Sequence, residues 1–324
     1  MADIKRIGVL TSGGDAPGMN PCIRAVVRTA LFNGCEVIGI REGFQGLLDG
    51  SWGPLSARDV GGIIQRGGTM LGTARSEEFY ESAGQDKAAA QCKKAGIDAL
   101  VVIGGDGTMR GARALAARGV RVAGAPASID NDIWGTNMAI GVDTALNTIC
   151  DAIDKLRDTA SSHRRAFLIE TMGRNCGYLA VMAGVIGGAE VVLIPEQPLT
   201  IDEVAASVEG AHKRGKTHSI IIVAEGAKVR IQDLAKRLDE LKVGFSTRIT
   251  ILGHIQRGGS PSAFDRLMAS RMGVKAVDSL LAGESDVMVG LQGRDVIPVP
   301  LEQVVSKQRE ANLEYFEMSR MLAF

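Results

Sequence analysis

The sequence predicts an α/β protein of two doubly wound lobes, with mainly parallel sheets covered by helices on both faces. Three observations lead there. Short unbroken apolar runs alternate with helical patterns along the chain. Each run ends in a glycine-rich or acidic turn. The length, 324 residues, suffices for two medium domains with separate cores. Strands covered on both faces read as continuous apolar runs, whereas a half-exposed strand would alternate.

The elements follow in order. Residues 5–11 form a first strand leading into Ser12-Gly13-Gly14-Asp15. A helix comes next, with Ile23, Val26, Val27, Ala30 and Leu31 at helical spacing and Gly34 placed to end it. Residues 98–103 lead into Gly104-Gly105-Asp106-Gly107-Thr108, and residues 120–125 into Ser128-Ile129-Asp130-Asn131-Asp132. Leu146, Ile149, Ile153 and Leu156 make the apolar stripe of a further helix, for which Asp143 is the expected N-cap. Residues 165–169 run into Glu170-Thr171-Met172-Gly173-Arg174, and residues 219–224 into Glu225-Gly226. Each of these turns lies past the carboxyl end of a strand, where open parallel sheets bind ligands. No proline- or serine-rich linker marks a domain border. A chain that crosses between its lobes more than once suits the length.

Bulk charge narrows the function. Lysine plus arginine equals aspartate plus glutamate at 37 each, so no overall positive field draws the protein to nucleic acid or to an anionic membrane. Anion binding must come from local clusters. The most membrane-like stretch, residues 179–194, is short and interrupted by Glu190, which argues against a spanning helix. Met1-Ala2-Asp3-Ile4-Lys5 runs straight into a strand-like segment and is not expected to be a leader. The five cysteines are scattered and form no CxxC pair, so reduced thiols in a cytoplasm are expected rather than disulfides or a zinc cluster.

The chemistry gathers in the turns. Glycines after a strand let backbone N–H groups approach phosphate oxygens, and the following helix N-terminus favours negative charge. An aspartate in such a loop would repel phosphate unless a divalent cation lay between them, so Asp106 reads as a magnesium ligand. An ordinary βα turn explains one such loop equally well; two of them weaken that explanation. There is no GxxxxGK[ST] sequence, and Arg110 occupies the last glycine position of a dinucleotide GxGxxG, which disfavours hydride transfer. In Ser128-Ile129-Asp130-Asn131-Asp132, two carboxylates just past a strand offer a base for a hydroxyl proton and a second acid beside it. An Asx turn is the structural alternative. Arg75, Arg165, Arg174, Arg248 and Arg257, with His254 nearby, supply guanidinium forks that match phosphate oxygens. Any one of them alone would pass as a solvated surface charge.

Together these segments resemble the ATP-dependent phosphofructokinase family, from residue 5 to about 283. The stretches that carry the likeness are KRIGVLTSGGDAPGMN (5–20), GGTMLGTAR (67–75), VVIGGDGT (101–108), SIDND (128–132), DKLRDTASSH (154–163), ETMGRNCGY (170–178) and ILGHIQRGG (251–259). GGDGT alone also occurs in NAD and lipid kinases; SIDND with MGRNCG and GHIQRGG, in this order, is far more specific. The resemblance implies that Asp130 takes the proton from the 1-hydroxyl of fructose 6-phosphate, with Asp132 and Ser128 in support. It implies that Asp106 holds Mg2+, and that Gly14, Arg75, Ser76, Gly105, Gly107 and Thr108 surround ATP. Arg75 and Arg174 would also steady the transferring group. Ser128, Ile129, Met172, Gly173, Arg174, Glu225, His254 and Arg257 would bind the sugar phosphate, and Arg165 and Arg248 would reach its 6-phosphate from a neighbouring subunit. That arrangement requires a homo-oligomer, in the family usually a tetramer. The implied lobes are 1–140 plus about 255–305 for ATP, and 141–254 plus about 306–324 for fructose 6-phosphate.

The resemblance also implies an effector site for ADP or phosphoenolpyruvate, formed by Arg24, Arg28, Arg157, Glu190, Arg214 and Lys216. Ala57 stands where an arginine is expected in that set, with Arg58 adjacent. Ser76 and Tyr80 stand where relatives often carry adenine-contacting residues, and Ser128 replaces the commoner threonine. The pyrophosphate-dependent branch has an aspartate in place of Gly107 and a lysine in place of Ala127, so both residues favour ATP. An inactive sugar-phosphate or nucleotide sensor is the alternative from another class, but Asp130, Asp106, Arg165 and Arg174 are all present. An NAD kinase would leave SIDND and GHIQRGG unexplained.

Overall fold

The computed structural model describes residues 4–323. The expectation about Met1-Ala2-Asp3 lies outside the described residues, as does Phe324. The chain divides into two compact units. One contains Met1–Ser128, Ile133–Thr144 and Arg257–Gln308; the other contains Ile129–Asp132, Ala145–Gln256 and Arg309–Phe324. Ile129–Asp132, the heart of the acidic turn, therefore belongs to the second unit although its flanks belong to the first.

The first unit is built on a seven-stranded sheet. Its strands are β1 (Arg6–Ser12), β2 (Glu36–Ile40), β3 (Trp52–Pro54), β4 (Ala99–Gly104), β5 (Arg121–Pro126), β10 (Val287–Gln292) and β11 (Asp295–Pro300), in the order β11-β10-β5-β4-β1-β2-β3. The inner pairs are parallel, and β3 and β11 close the two edges in antiparallel fashion. The second unit has a four-stranded parallel sheet ordered β7-β8-β6-β9, from β6 (Arg165–Thr171), β7 (Val191–Leu193), β8 (Ser219–Ala224) and β9 (Ser246–Ile251). The helices are α1 (Met19–Phe32), α2 (Gly43–Asp49), α3 (Ser82–Lys94), α4 (Asp106–Ala116), α5 (Val142–His163), α6 (Tyr178–Gly187), α7 (Ile201–Lys213), α8 (Ile231–Leu241), α9 (Ala263–Leu281), α10 (Leu301–Ser306) and α11 (Leu313–Leu322). They cover both faces of the sheets, as expected from the sequence.

The apolar runs become strands for the reason the sequence suggested. Every residue of β4 and of β8 is buried, so both faces of each strand contribute to the core. Burying a valine or isoleucine side chain stabilises by roughly 1.5–3 kcal/mol, and three successive isoleucines in β8, Ile220, Ile221 and Ile222, are fully buried. Around β8 the core of the second unit includes Leu168, Leu193, Val204, Leu234 and Phe245. Parallel pairing aligns the strand ends. Thr11 stands opposite Ile103, and Gly104 opposite Pro126, so the turns after β1, β4 and β5 share one edge of the first sheet.

The ends of α1 agree with the sequence: after Phe32, Asn33 is the C-cap and Gly34 takes the left-handed φ of 78° that favours glycine. Asp143 does not. The helix α5 already begins at Val142, and Asp143 sits inside its first turn. The capping carboxylate is Asp265, from the first turn of α9. It is buried and accepts from Gly141 N at 2.9 Å, Thr144 N at 2.8 Å and Thr144 Oγ1 at 2.6 Å. Asp143 instead accepts from Ser262 Oγ, whose oxygen in turn caps α9 by accepting from Asp265 N at 3.1 Å. Two helix N-termini thus cap one another. Replacing Asp265 by alanine leaves buried donors without an acceptor. Asp265→Ala should lower stability by about 3 kcal/mol, seen as an earlier midpoint in heat or denaturant; an unchanged midpoint would contradict the capping role.

Candidate active site

In the first unit, the glycine-rich turns are tied together by hydroxyls. Thr108 is buried and its Oγ1 donates to Ser12 O at 3.0 Å, joining the turn after β4 to the end of β1. Thr11 Oγ1 donates to Gly72 O at 2.9 Å and lies 2.8 Å from Thr69 Oγ1, while Thr73 Oγ1 donates to Gly13 O at 2.6 Å. Asn20 receives Met70 N at 2.7 Å and donates to the carbonyls of Arg66 and Gly67. These bonds fix the 67–75 segment against β1 and bring exposed Arg75 to the same sheet edge as Gly14 and Gly107. Ser76 is buried, and its hydroxyl accepts from Phe79 N at 3.3 Å, while Tyr80 is 81% exposed. Asn20, Thr69 and Thr73 were not singled out from the sequence, although all three lie within or beside the stretches that carried the resemblance.

Asp106 opens α4, with Gly105 as its N-cap, so the acidic turn is also a helix N-terminus. Its Oδ2 lies 2.9 Å from Arg110 Nε, one helical turn on. Gly107 faces open space. Arg257 also belongs to this unit, where its Nη1 donates to Asp15 O at 3.2 Å. Glycine at position 14 leaves room for that guanidinium to lie against the backbone; a side chain there would push it aside. Ser128, just after β5, donates its backbone N–H to Ile140 O at 3.1 Å, and Ala127 is fully buried.

In the second unit the acidic turn meets the loop after β6. Ile129 and Asn131 are fully buried, and Asp130 is 2% exposed. Asp130 Oδ2 lies 3.3 Å from Nε of Arg174, whose side chain is 62% exposed. A buried carboxylate thus faces an exposed guanidinium, an arrangement that can take a proton from a hydroxyl group and neutralise an anion beside it. Both Asn131, φ 53°, and Arg174, φ 52°, adopt the left-handed conformation. Such backbones persist where surrounding bonds over-determine them. For Arg174 the bonds are visible: Glu225 Oε1 accepts from Arg174 N at 2.7 Å and from Gly173 N at 3.2 Å. Gly226 packs so closely on Arg174 O that no side chain fits there. Met172 N donates to Gln256 Oε1 at 3.2 Å, and Gln256 Nε2 donates to Gly253 O, placing the turn that carries exposed His254 next to the same loop. Glu170, at the end of β6, is pushed above the usual carboxylate range by burial and then by the like charge of Glu225.

Arg165 stands apart. It begins β6, and the ordinary strand rise puts it about 20 Å from Thr171 at the other end. Arg248 is exposed on β9, opposite Phe167, with its Nη1 donating to Thr247 O. Within the second unit neither arginine joins Met172, Gly173, Arg174 and Glu225.

The remaining charged set falls in two places. Arg24 and Arg28 lie on α1 of the first unit, Arg24 half-buried and Arg28 exposed. In the second unit, Arg157 lies within α5, not at its end, and donates to Gly187 O and Gly188 O. Glu190 accepts from Ile220 N, Ser219 Oγ and Lys216 Nζ, and Lys216 also donates to Ala323 O at 3.0 Å. Arg214 is the C-cap of α7. Glu190 and Arg214 line a cavity of about 580 Å³, together with Glu203, Ser207 and Arg320.

Among the described residues no three His, Cys, Asp or Glu side chains gather closely enough to hold a metal by themselves. Asp106, at the N-terminus of α4 beside Gly105 and Gly107, offers a single carboxylate, the kind of oxygen donor that magnesium takes together with phosphate and water oxygens. Among the described residues no helix is long and apolar enough to cross a membrane.

Known proteins resemble this chain over nearly its whole length. The profile of the family described as Phosphofructokinase matches residues 6–280. A protein of Thermotoga neapolitana named ATP-dependent 6-phosphofructokinase is 52% identical over 321 residues, covering 99% of this chain and 100% of that protein. The phosphofructokinase structure of Pichia pastoris in the T-state gives a TM-score of 0.89 at 38% identity over 98% of this chain. This chain spans only 39% of the Pichia subunit. A pyrophosphate-dependent phosphofructokinase from Marinobacter aquaeolei gives 0.86 over 96% of this chain and 86% of its own, but at 20% identity that likeness speaks for the fold alone. The profile spans both glycine-rich turns, the acidic turn and the 170–178 loop, and with a full-length relative at that identity the conclusion is direct: the chain belongs to the phosphofructokinase family.

Proposed function

We propose that the chain transfers the γ-phosphoryl group of ATP to the 1-hydroxyl of fructose 6-phosphate, giving fructose 1,6-bisphosphate and ADP in glycolysis. The observation that carries this reading is the buried Asp130 carboxylate 3.3 Å from the exposed Arg174 guanidinium, on a loop locked by Glu225. Asp130 accepts the hydroxyl proton, with Asp132 and Ser128 supporting the turn. Arg174 and Arg75 neutralise the moving phosphoryl group. Met172, Gly173, Glu225, His254 and Arg257 bind the sugar phosphate. Phosphoryl transfer asks for alignment and charge neutralisation rather than covalent help from the protein. Gly14, Ser76, Gly105, Asp106, Gly107 and Thr108 hold the nucleotide, and Asp106 would exchange Arg110 for a magnesium ion. When bound, that ion neutralises charge on the donor phosphates.

The choice of ATP over pyrophosphate rests on Gly107 and Ala127. Open space at Gly107 leaves room for the rest of a nucleotide, and at fully buried Ala127 a lysine's charge would be costly. The distance of Arg165 from its own loop supports a role toward a second subunit, and so a homo-oligomer, with a tetramer as the family's usual form. The outer edge of β9, which exposes Ile249 and Ile251, is consistent with a covered face. All five cysteines are free thiols, which supports a cytoplasmic location. We also propose that Arg24, Arg28, Arg157, Glu190, Arg214 and Lys216 form an effector site for ADP or phosphoenolpyruvate. Glu190 and Lys216 already have internal partners, so the response should be weak.

Asp130→Asn should reduce turnover at least ~100-fold, the usual worth of a positioned base, with a much smaller change in fructose 6-phosphate affinity. Near-normal turnover in steady-state assays would rule out the base. With magnesium and fructose 6-phosphate, ATP should support turnover and pyrophosphate little; equal rates would sink the donor assignment and leave the fold untouched. Fructose 6-phosphate saturation curves should shift with ADP or phosphoenolpyruvate in the parent and not in Arg24→Ala. Superimposable parental curves would end the effector proposal.

A further inference from the structure

The segment beyond the family profile, which ends at residue 280, holds the acceptor-side loops in place. Three contacts within the second unit make the connection. Arg309 N donates to Asp132 O at 3.3 Å, pinning the last residue of the acidic turn. The Arg309 guanidinium carbon lies 5.5 Å from the ring centroid of Tyr178, the first residue of α6. Glu196 then bridges the two strands of chain: its Oε1 accepts from Ala311 N at 2.9 Å and from Gly177 N at 2.9 Å. The Tyr178 hydroxyl is in turn hydrogen-bonded to the side chain of Asn131, which is fully buried at φ 53°. Residues 309–311 therefore bond the turn that carries Asp130 directly, and reach the end of the loop that carries Arg174 through Glu196 and Tyr178.

Burying a guanidinium is costly unless something repays it. Burial pulls Arg309 below its usual pKa, and the same pocket pushes the Cys176 thiol up to about 12. A solvent-facing lysine or glutamine would fill a connecting loop at no such cost. Here the guanidinium faces the Tyr178 ring while the backbone N–H of the same residue bonds the acidic turn at Asp132.

We propose that Arg309 is a positioning residue: by clamping Asn131-Asp132 to Tyr178, it holds the Asp130 carboxylate in register with Arg174. This rests on the assignment of Asp130 as the base. A base displaced by as little as an ångström loses much of its effect, so the clamp acts far more on turnover than on ground-state binding.

The test compares Arg309→Met, Arg309→Lys and Tyr178→Phe in the full chain. Arg309→Met should lower kcat roughly tenfold or more, with KM for ATP unchanged and KM for fructose 6-phosphate altered less than about threefold. Arg309→Lys, which keeps the cation over the ring, should recover part of the loss. Combined with Asp130→Asn, Arg309→Met should cost little further, because residues that act as a unit are not additive. An unchanged kcat in Arg309→Met, or a loss as large in the Asp130→Asn background as in the parent, overturns the proposal. If Arg309→Met does not fold, Tyr178→Phe decides, since it keeps the ring and removes only the bond to Asn131. It should show the same selective loss of kcat, and parental kinetics would refute the clamp. Normal turnover in Asp130→Asn alone would instead remove the base assignment on which the clamp depends.

Discussion

A carboxylate that is almost entirely withdrawn from water must be compensated by neighbours fixed in place. At Asp130 that demand organises the second unit. Its charge partner, Arg174, lies on a loop whose backbone is left-handed, and the loop keeps that shape through the Glu225 carboxylate and the close approach of Gly226. The turn itself is left-handed at Asn131, and it too is tied down, through Tyr178. One strained position is a member of the ion pair and the other follows its partner in sequence, and each is held by side chains from elsewhere in the same unit. The parallel sheet β7-β8-β6-β9 supplies the rigid base, since Glu225 follows β8 and Met172 follows β6.

The first unit meets a different demand. Phosphate binding needs backbone N–H groups at short range, hence few side chains, and a loop of glycines is entropically loose. The threonines answer this. Thr11, Thr73 and Thr108 each donate to a backbone carbonyl of a neighbouring turn, which stiffens the glycine-rich edge without covering it. Asn20 does the same for the start of the 67–75 segment.

Much of this was legible in the sequence, and the reason is local. Doubly covered strands announce themselves as unbroken apolar runs, so β8 coincides with the expected 219–224 and the other strands expected from those runs fall within one or two residues at each end. Glycine, aspartate and arginine past those runs marked the turns. What could not be read were partners remote in sequence. Asp143 has the right chemistry for an N-cap, but the cap comes from Asp265, 124 residues from Gly141. Glu225 looked like a ligand for substrate, and one of its oxygens proves to be occupied in shaping the 173–174 backbone. Gln256 lies inside the 251–259 stretch, but its bond to Met172 N could not be read from it, and Glu196 and Arg309 carry no pattern at all; each matters through the chain segment it happens to reach.

The bond between Arg309 N and Asp132 O closes a loop that contains nearly all of the second unit's sequence. Closing so long a loop is entropically expensive, and its reward comes only after the intervening strands and helices have packed. That cost favours consolidation of the parallel sheet and its helices around β6 and β8 before the acidic turn takes its final shape. A chain that is compact and fully helical by spectroscopy would then still lack a settled carboxylate at residue 130, so that structure and competence arrive at separate moments.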